Sequence, residues 1–466
     1  MYEKTGRTIT FIIVLVLALN LAACGLSKNS EASTESDYDV TILTREEALE
    51  DLEELERVIS KVHPATIEGL SAKTKSLIEA AKNNMGETIE LDDFYFKVQD
   101  ILCSLKDAHT STAIYSPLKG ERTLNVSYAW LYDGLYVTKD IATLMKGDKV
   151  LAIGGKSVEA LFDELSRIIP HENDIWVRGA GESMLNREYI IKHIGLINED
   201  SKIDFEVLRN GSKINVSAKF DDLKGNLISY FPEFKKDFTY DILKEDSIGL
   251  FTLNTCKYNN KYKAFVKKFF TEVRDKKIQN IIVDLRNNSG GNSQVTDEFL
   301  TYFPIKQYKS FGGYMRLSHE ANEQRSYEFK ISEDSKKNKY EFPGSINVNE
   351  LKDEKLLFNG DLYIINSKYT FSSANWFGVI VKDNKLGTIV GEPTGNSPSS
   401  YGDILRFELK NSKIDFRVSH KCFIRPDEKN TSNTLEPDVL VETTISDILN
   451  NHDSQLEKVK ELIKAK

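Results

Sequence analysis

Three short stretches hold the residues best suited to chemistry. The first is "YTFSSANWFG", Tyr369 to Gly378, where Ser372 and Ser373 stand between an apolar run at 361–367 and a helix-like run at 374–385. A serine hydroxyl becomes a useful nucleophile only when a base takes its proton. At the end of a strand in an α/β sheet it stands in the crevice where such folds hold ligands. The amide of the next residue, at a helix start, can then face a developing oxyanion. The same position is also a favoured N-cap, in which the hydroxyl accepts a free backbone N–H instead. The second stretch, "DLRNNSGGNS" at 284–293, places Gly290-Gly291 directly before a helix. Paired glycines let amides approach a ligand closely, and the helix start adds partial positive charge. The third, "KDAHTST" at 106–112, offers His109 as a base, flanked by Asp107 and Thr110.

These residues need elements to position them. From about residue 236 the chain alternates strand and helix. Strands are expected at 247–255, 278–286, 361–367 and 387–393, and helices at 263–277, from about Gln294, and after Ser372. Such alternation implies an α/β layer with parallel pairing. A polar stretch at 306–355 interrupts it and reads as a solvated insertion that could form a lid. One last helix is expected over 446–464. His109 instead follows an N-terminal helical segment. Thr44 and Glu47 form a capping box, apolar residues recur at three and four through 44–63, and Pro64 ends the helix. Two further helices are expected over 71–84 and 91–106.

Between them, residues 122–220 alternate apolar and polar around Asp133-Gly134 and Asn210-Gly211, a hairpin signal. The stretch "GDKVLAIGGKSV" resembles a PDZ-like module, a fold that binds extended peptides by strand addition. The expected organisation is a helical domain at 41–115, a PDZ-like domain at 116–225 and a catalytic α/β domain at 236–466.

Composition narrows the function classes. With 466 residues, 40% apolar and 29% charged, the chain is a globular protein of two or three domains. A formal charge of −9 argues against a general nucleic-acid binder. Cys103, Cys256 and Cys422 are far apart and odd in number, and the seven histidines show no metal-ligand spacing. Neither a metal nor a cofactor is implied. Oligomeric state is left open.

The N-terminus reads as a separate unit. Lys4 and Arg7 precede an apolar run from Ile9 to Leu19 that ends in Leu21-Ala22-Ala23-Cys24. The order is that of a secretion signal. The ending resembles the lipobox of bacterial lipoproteins, which implies cleavage after 23, lipidation of Cys24, and an extracytoplasmic, membrane-anchored protein. Residues 25–40 read as a polar tether.

The ordered set "KDAHT", "GDKVLAIGGKSV", "IIVDLRNNSGG", "YTFSSANWFG", "IVGEPTG" and "LEPDV" resembles the C-terminal processing and tricorn-type serine peptidases of family S41. The resemblance implies a crotonase-like α/β catalytic domain that hydrolyses peptide or protein substrates. Carried over residue by residue, it makes Ser372 the nucleophile, with Ser373 as the alternative. Gly290 or Gly291 and Ser373 become the oxyanion donors. The processing branch's catalytic lysine has no counterpart in "GEPTGNSPSS", whereas Asp107-Ala108-His109-Thr110 matches the tricorn-like pattern, so His109 becomes the general base. The same resemblance points to Glu436 in "LEPDV" as the carboxylate behind it, ahead of Asp427 and Glu428. The family's usual Glu falls on Asn375. That substitution and the missing lysine motivate an alternative, a lipoprotein that binds peptides or other ligands on the same scaffold without cutting them.

Overall fold

The structure, a computed structural model, describes residues 41–112, 123–225 and 235–466. The signal-like segment, Cys24 and the 25–40 tether lie outside the described residues. No helix among the described residues is long and apolar enough to cross a membrane.

The α/β layer forms around a sheet whose strands lie in the order 238–243, 248–253, 280–284, 361–366, 388–391 and 439–440. The first pair is antiparallel, and every later pair is parallel. Strands covered on both faces read as continuous apolar runs, as in Ile281-Ile282-Val283 and Ile364-Ile365, all fully buried. One face packs on an aromatic core that includes Phe251, Phe269, Phe299 and Phe377. The other face, with Ile282, Ile365 and Val390, is covered by Val459 of the C-terminal helix. That C-terminal segment is two helices rather than the single one expected, Ile445–Asn450 and Ser454–Lys464. Asn451 turns left-handed at φ 51° and the Asp453 side chain caps the second helix, so local polar chemistry outweighs the apolar periodicity.

The middle segment forms an antiparallel sheet in the order 212–219, 202–209, 149–153, 134–137 and 128–131. Its two tight turns fall at Tyr132-Asp133, one residue ahead of the Asp133-Gly134 pair expected, and at Asn210-Gly211. The N-terminal helices are Arg45–Val62, Ala72–Asn83 and Leu91–Cys103, the first opened by the Thr44–Glu47 capping box. They do not keep a core to themselves. Leu55 and Phe94 share one apolar cluster with Trp130 and Ile203 of the middle sheet and with Phe416 and Val418.

Two further features depart from the sequence reading. The 306–355 stretch is not a loosely solvated insertion. Its Gly312–Arg316 strand lies between strands 339–342 and 415–424 in a second sheet, and the 111–112 strand after His109 pairs with the same 415–424 strand. Arg316 is fully buried and donates to the carbonyls of Ser60, Lys61 and Ser335 at 3.1–3.3 Å. The stretch therefore supports the framework that presents His109. The second departure is a helix, Asp174–Met184, that no periodicity announced. Its glycines at 179 and 181 disguise it, and the second is needed for close packing. A Cβ on Gly179 would stand 3.4 Å from the Tyr369 ring, and one on Gly181 would stand 3.0 Å from Trp130.

Candidate active site

Ser372 sits where the buried 361–366 strand hands over to the Ser373–Asp383 helix, at φ 51° and ψ −124°. A non-glycine residue with positive φ is strained, and such strain collects at functional sites. Although Ser372 occupies the N-cap position, its side chain makes no capping bond. The capping reading therefore does not account for the serine. The turn is stitched to the neighbouring loop instead. Thr370 Oγ1 donates to the Leu285 carbonyl at 3.0 Å, and Phe371 N–H to the Asn288 carbonyl at 3.0 Å. Ser367 Oγ donates to the Arg286 carbonyl.

The glycine loop lies against this turn. Gly290 has φ 102°, and a Cβ there would come within 2.6 Å of Ser372 Cβ and 2.9 Å of the Ser373 nitrogen. Gly291, at φ 135°, abuts the Cys256 carbonyl, which a Cβ would meet at 2.5 Å. Buried Asn288 takes the Gly290 N–H on its Oδ1 at 2.8 Å, while Ser373 Oγ donates to the Gly291 carbonyl at 2.8 Å. The Gly291 and Ser373 amides donate to no acceptor among the described residues. Of the two glycines singled out in the sequence, only Gly291 keeps an unengaged N–H among the described residues.

His109 follows the Leu91–Cys103 helix in a loop organised by Asp107. The Asp107 carboxylate is fully buried. It accepts the His109 N–H at 2.8 Å, the Thr110 hydroxyl at 2.5 Å and His63 Nε2 at 3.2 Å. His63 Nδ1 accepts the Ala65 N–H, so its proton resides on Nε2 and is donated to Asp107. Burial opposes the Asp107 charge. The hydrogen bonds and charges of His109 and His63 outweigh it and hold the carboxyl well below the usual carboxylate range. His109 Nδ1 is buried and unbonded, 3.7 Å from Asp107 Oδ1. A proton on Nδ1 would face that carboxylate and leave Nε2 as the basic atom. The His109 ring lies 5.1 Å from that of Phe371, the residue before Ser372.

Glu436 is not part of this arrangement. It is exposed and forms no ion pair with His109, while its carbonyl accepts Lys382 Nζ at 2.6 Å. The neighbouring Leu435 is the buried residue, packed toward Gly378, which turns the next side chain outward. Asp427 likewise lies elsewhere, its amide donating to Asp383, and Glu428 is exposed. The carboxylates at His109 are Asp107 and Glu172. One oxygen of each and one ring nitrogen of His109 lie within 4.8 Å of one another. Glu172 Oε1 accepts the Ala108 N–H at 3.1 Å, and Oε2 accepts Asn396 Nδ2 at 3.0 Å. Burial pushes its carboxyl up to about 7, a rise that the Asp107 charge reinforces and His109 opposes. Asn396 in turn accepts the Ser372 N–H on Oδ1 at 2.8 Å. Neither Glu172 nor Asn396 was found from sequence. The one available signal was Asn173, which caps the Asp174–Met184 helix through the Trp176 N–H.

Where the family pattern has Glu, Asn375 is buried and donates to the Asn396 carbonyl at 2.8 Å, fixing the 394–397 loop. Lys368 is the lysine nearest Ser372 in sequence. Its Nζ is held 2.6 Å from Glu182 and 2.7 Å from the Trp130 carbonyl, and is therefore no free base.

The sequence profile of Peptidase family S41 matches residues 247–441. Among solved structures, mature CPAF complexed with lactacystin is similar at 14% identity and TM-score 0.65, over 90% of this chain and 98% of that one. A CPAF mutant is similar at 13% identity and TM-score 0.66, over 90% and 97%. A candidate peptidase from Parabacteroides merdae follows at 12% identity and TM-score 0.51, again over 90% and 97%. No curated protein matches the sequence. At these identities the structural likeness speaks for the fold, which is that of an α/β peptidase.

Proposed function

We propose that the chain, whose residues 247–441 match Peptidase family S41, hydrolyses peptide bonds through an acyl-enzyme on Ser372. The observation that carries this reading is the Ser372 turn. A strained serine that caps nothing stands at a helix start against the glycine loop, and the Gly291 and Ser373 amides there engage no acceptor among the described residues. In the proposed reaction Ser372 Oγ attacks the substrate carbonyl carbon while His109 Nε2 takes the hydroxyl proton. Asp107 stabilises the imidazolium from the Nδ1 side. The two amides hold the oxyanion, a donation worth about 2.7–4 kcal/mol of barrier per donor. Collapse of the intermediate expels the amine, which leaves with the proton from His109. Water then attacks the ester with His109 again as base, releasing the acid and restoring Ser372.

Ser372 Oγ makes no hydrogen bond among the described residues. In the peptidase reading this contact to His109 closes on substrate, as catalytic hydrogen bonds commonly do. The same observation favours a second reading, a peptide-binding protein that does not cut. A fluorophosphonate separates the two readings. A peptidase acquires one covalent adduct on Ser372, and a binder acquires none.

We further propose endopeptidase action at a membrane surface, with Cys24 lipidated after cleavage of the signal-like segment. The support is the Leu21-Ala22-Ala23-Cys24 ending behind a charged and apolar run. Metabolic labelling with palmitate is expected to mark the wild type and not Cys24→Ala. Equal labelling of both would refute the anchor.

A further inference from the structure

Resting on the serine-peptidase reading, we propose that Glu172 is a positioning residue that sets His109 and Ser372 in register, and that it does so as a carboxylate.

The two reactive residues come from opposite ends of the chain. His109 stands on a loop after the third N-terminal helix, and Ser372 on a turn of the α/β sheet. Among the described residues no hydrogen bond joins their side chains directly. Glu172 supplies the link. Its Oε1 takes the Ala108 N–H, in the peptide unit preceding His109 by one residue. Its Oε2 takes Asn396 Nδ2 at 3.0 Å and the Ser397 N–H at 3.4 Å. The other end of the Asn396 amide takes the Ser372 N–H at 2.8 Å. One carboxylate thus spans from the base loop, through a single side chain, to the backbone of the strained serine.

The segment that carries Glu172 is itself pinned to both sides. Asn173 Nδ2 donates to the Asn433 carbonyl at 2.8 Å and the Thr394 carbonyl at 3.3 Å. The Trp176 ring lies 4.7 Å from that of Phe371. The bridge therefore has a rigid origin and is no chance surface contact.

A proton on either oxygen undoes one side. On Oε1 it takes the charge and a lone pair from the contact to Ala108, and on Oε2 from the contacts to Asn396 and Ser397. The charged groups facing Glu172 are His109 and Asp107 from the base loop. The Tyr401 hydroxyl approaches from the 400–408 strand. The 394–397 and 433 loops present neutral groups, and His171 turns away to Lys106 and the Ile169 carbonyl. Loss of the Glu172 proton therefore favours the reactive arrangement.

The test is the rate of fluorophosphonate labelling of the full chain between pH 5.5 and 9, for wild type, Glu172→Gln, Glu172→Asp and Asn396→Ala. Melting temperatures are recorded beside the rates. For the wild type the rate is expected to rise from the acid side as Glu172 loses its proton. Glu172→Gln is expected to melt no lower than wild type, label at least tenfold more slowly at pH 8, and lose the Glu172 part of the pH dependence, so that its profile is shallower than that of the wild type. Glu172→Asp recovers part of the rate and the steeper profile, and Asn396→Ala slows labelling without removing the Glu172 part of the pH dependence. If Glu172→Gln labels at the wild-type rate with an unchanged profile, the proposal is overturned and the serine reading stands. A folded wild type that takes no label overturns both.

Discussion

Asn396 Oδ1 accepts the Ser372 N–H at 2.8 Å, so the amide of Ser372 is committed to the protein while its hydroxyl is not. The helix that follows gains nothing from the serine side chain, and the residue is held at φ 51° by its surroundings. Such a conformation costs about 1–3 kcal/mol and persists where the surrounding structure imposes it.

Ser372→Gly is therefore expected to remove activity and raise stability. Glycine accepts the backbone geometry, and the gain, partly offset by a freer unfolded chain, should be about 1 kcal/mol. Urea denaturation of the two proteins measures it, and a destabilised glycine variant would show that the turn is unstrained.

Gly291→Ala is expected to disable the site by displacing the oxyanion loop. Its Cβ would meet the Cys256 carbonyl at 2.5 Å from a backbone at φ 135°. The expected loss is about 2 kcal/mol or more of stability, with labelling abolished. Gly211→Ala, also at positive φ but with nothing within 4 Å, should fold less stably and still label.

Asp107→Asn and Glu436→Gln decide which carboxylate serves His109. Asp107→Asn should reduce turnover about a thousandfold or more, because the imidazole loses the group that fixes its tautomer. Glu436→Gln should be silent, its side chain being exposed and unpaired with His109. Asp107 also carries a stability signature. Its carboxyl is depressed in the fold, so its contribution is present above the ordinary carboxylate range and is lost as pH falls below it. Asp107→Asn should flatten the acid limb of a stability–pH curve.

How much of this was legible from sequence follows from where each signal resides. Strands such as Ile281-Ile282-Val283 announce themselves because burial on both faces demands an unbroken apolar run. The Ser372 turn and the Gly290-Gly291 loop were legible because strand, turn and helix are adjacent in the chain. Glu172 was not. Its role depends on three N–H donors that come from residues 108, 396 and 397, and no local pattern encodes that convergence. Glu436 misled for the reciprocal reason, since a matching motif does not say which way a side chain faces. The 306–355 stretch hid its central strand because Gly312-Gly313 reads as a turn and the buried Arg316 reads as a surface residue.

Glu172→Gln gives a stability test independent of activity. A carboxyl raised to about 7 in the fold favours its protonated form, so it weakens the protein as pH rises through the interval from 4.5 to 7. The glutamine variant should match wild type near pH 4 and exceed it above pH 7 by about 1–2 kcal/mol, allowing for partial exposure. Identical curves would show that Glu172 titrates normally.

Glu182→Ala should loosen the nucleophile turn from a distance. Glu182 holds Lys368 Nζ at 2.6 Å and also accepts the Tyr369 hydroxyl, just ahead of Ser372 in the chain. Removing it leaves a nearly buried ammonium with the Trp130 carbonyl alone and a phenol without its acceptor, at an expected cost of about 1–3 kcal/mol. Urea midpoints check this, and an unchanged midpoint would mean that the Asp174–Met184 helix does not brace the turn.

The most direct test of the central claim is the intact mass of the full chain after reaction with a fluorophosphonate, followed by peptide mapping. The account predicts one adduct, located on Ser372, and none on Ser372→Ala or His109→Ala when both are folded. An adduct on any other residue, or none on a folded wild type, would contradict the assignment of Ser372 as an activated nucleophile.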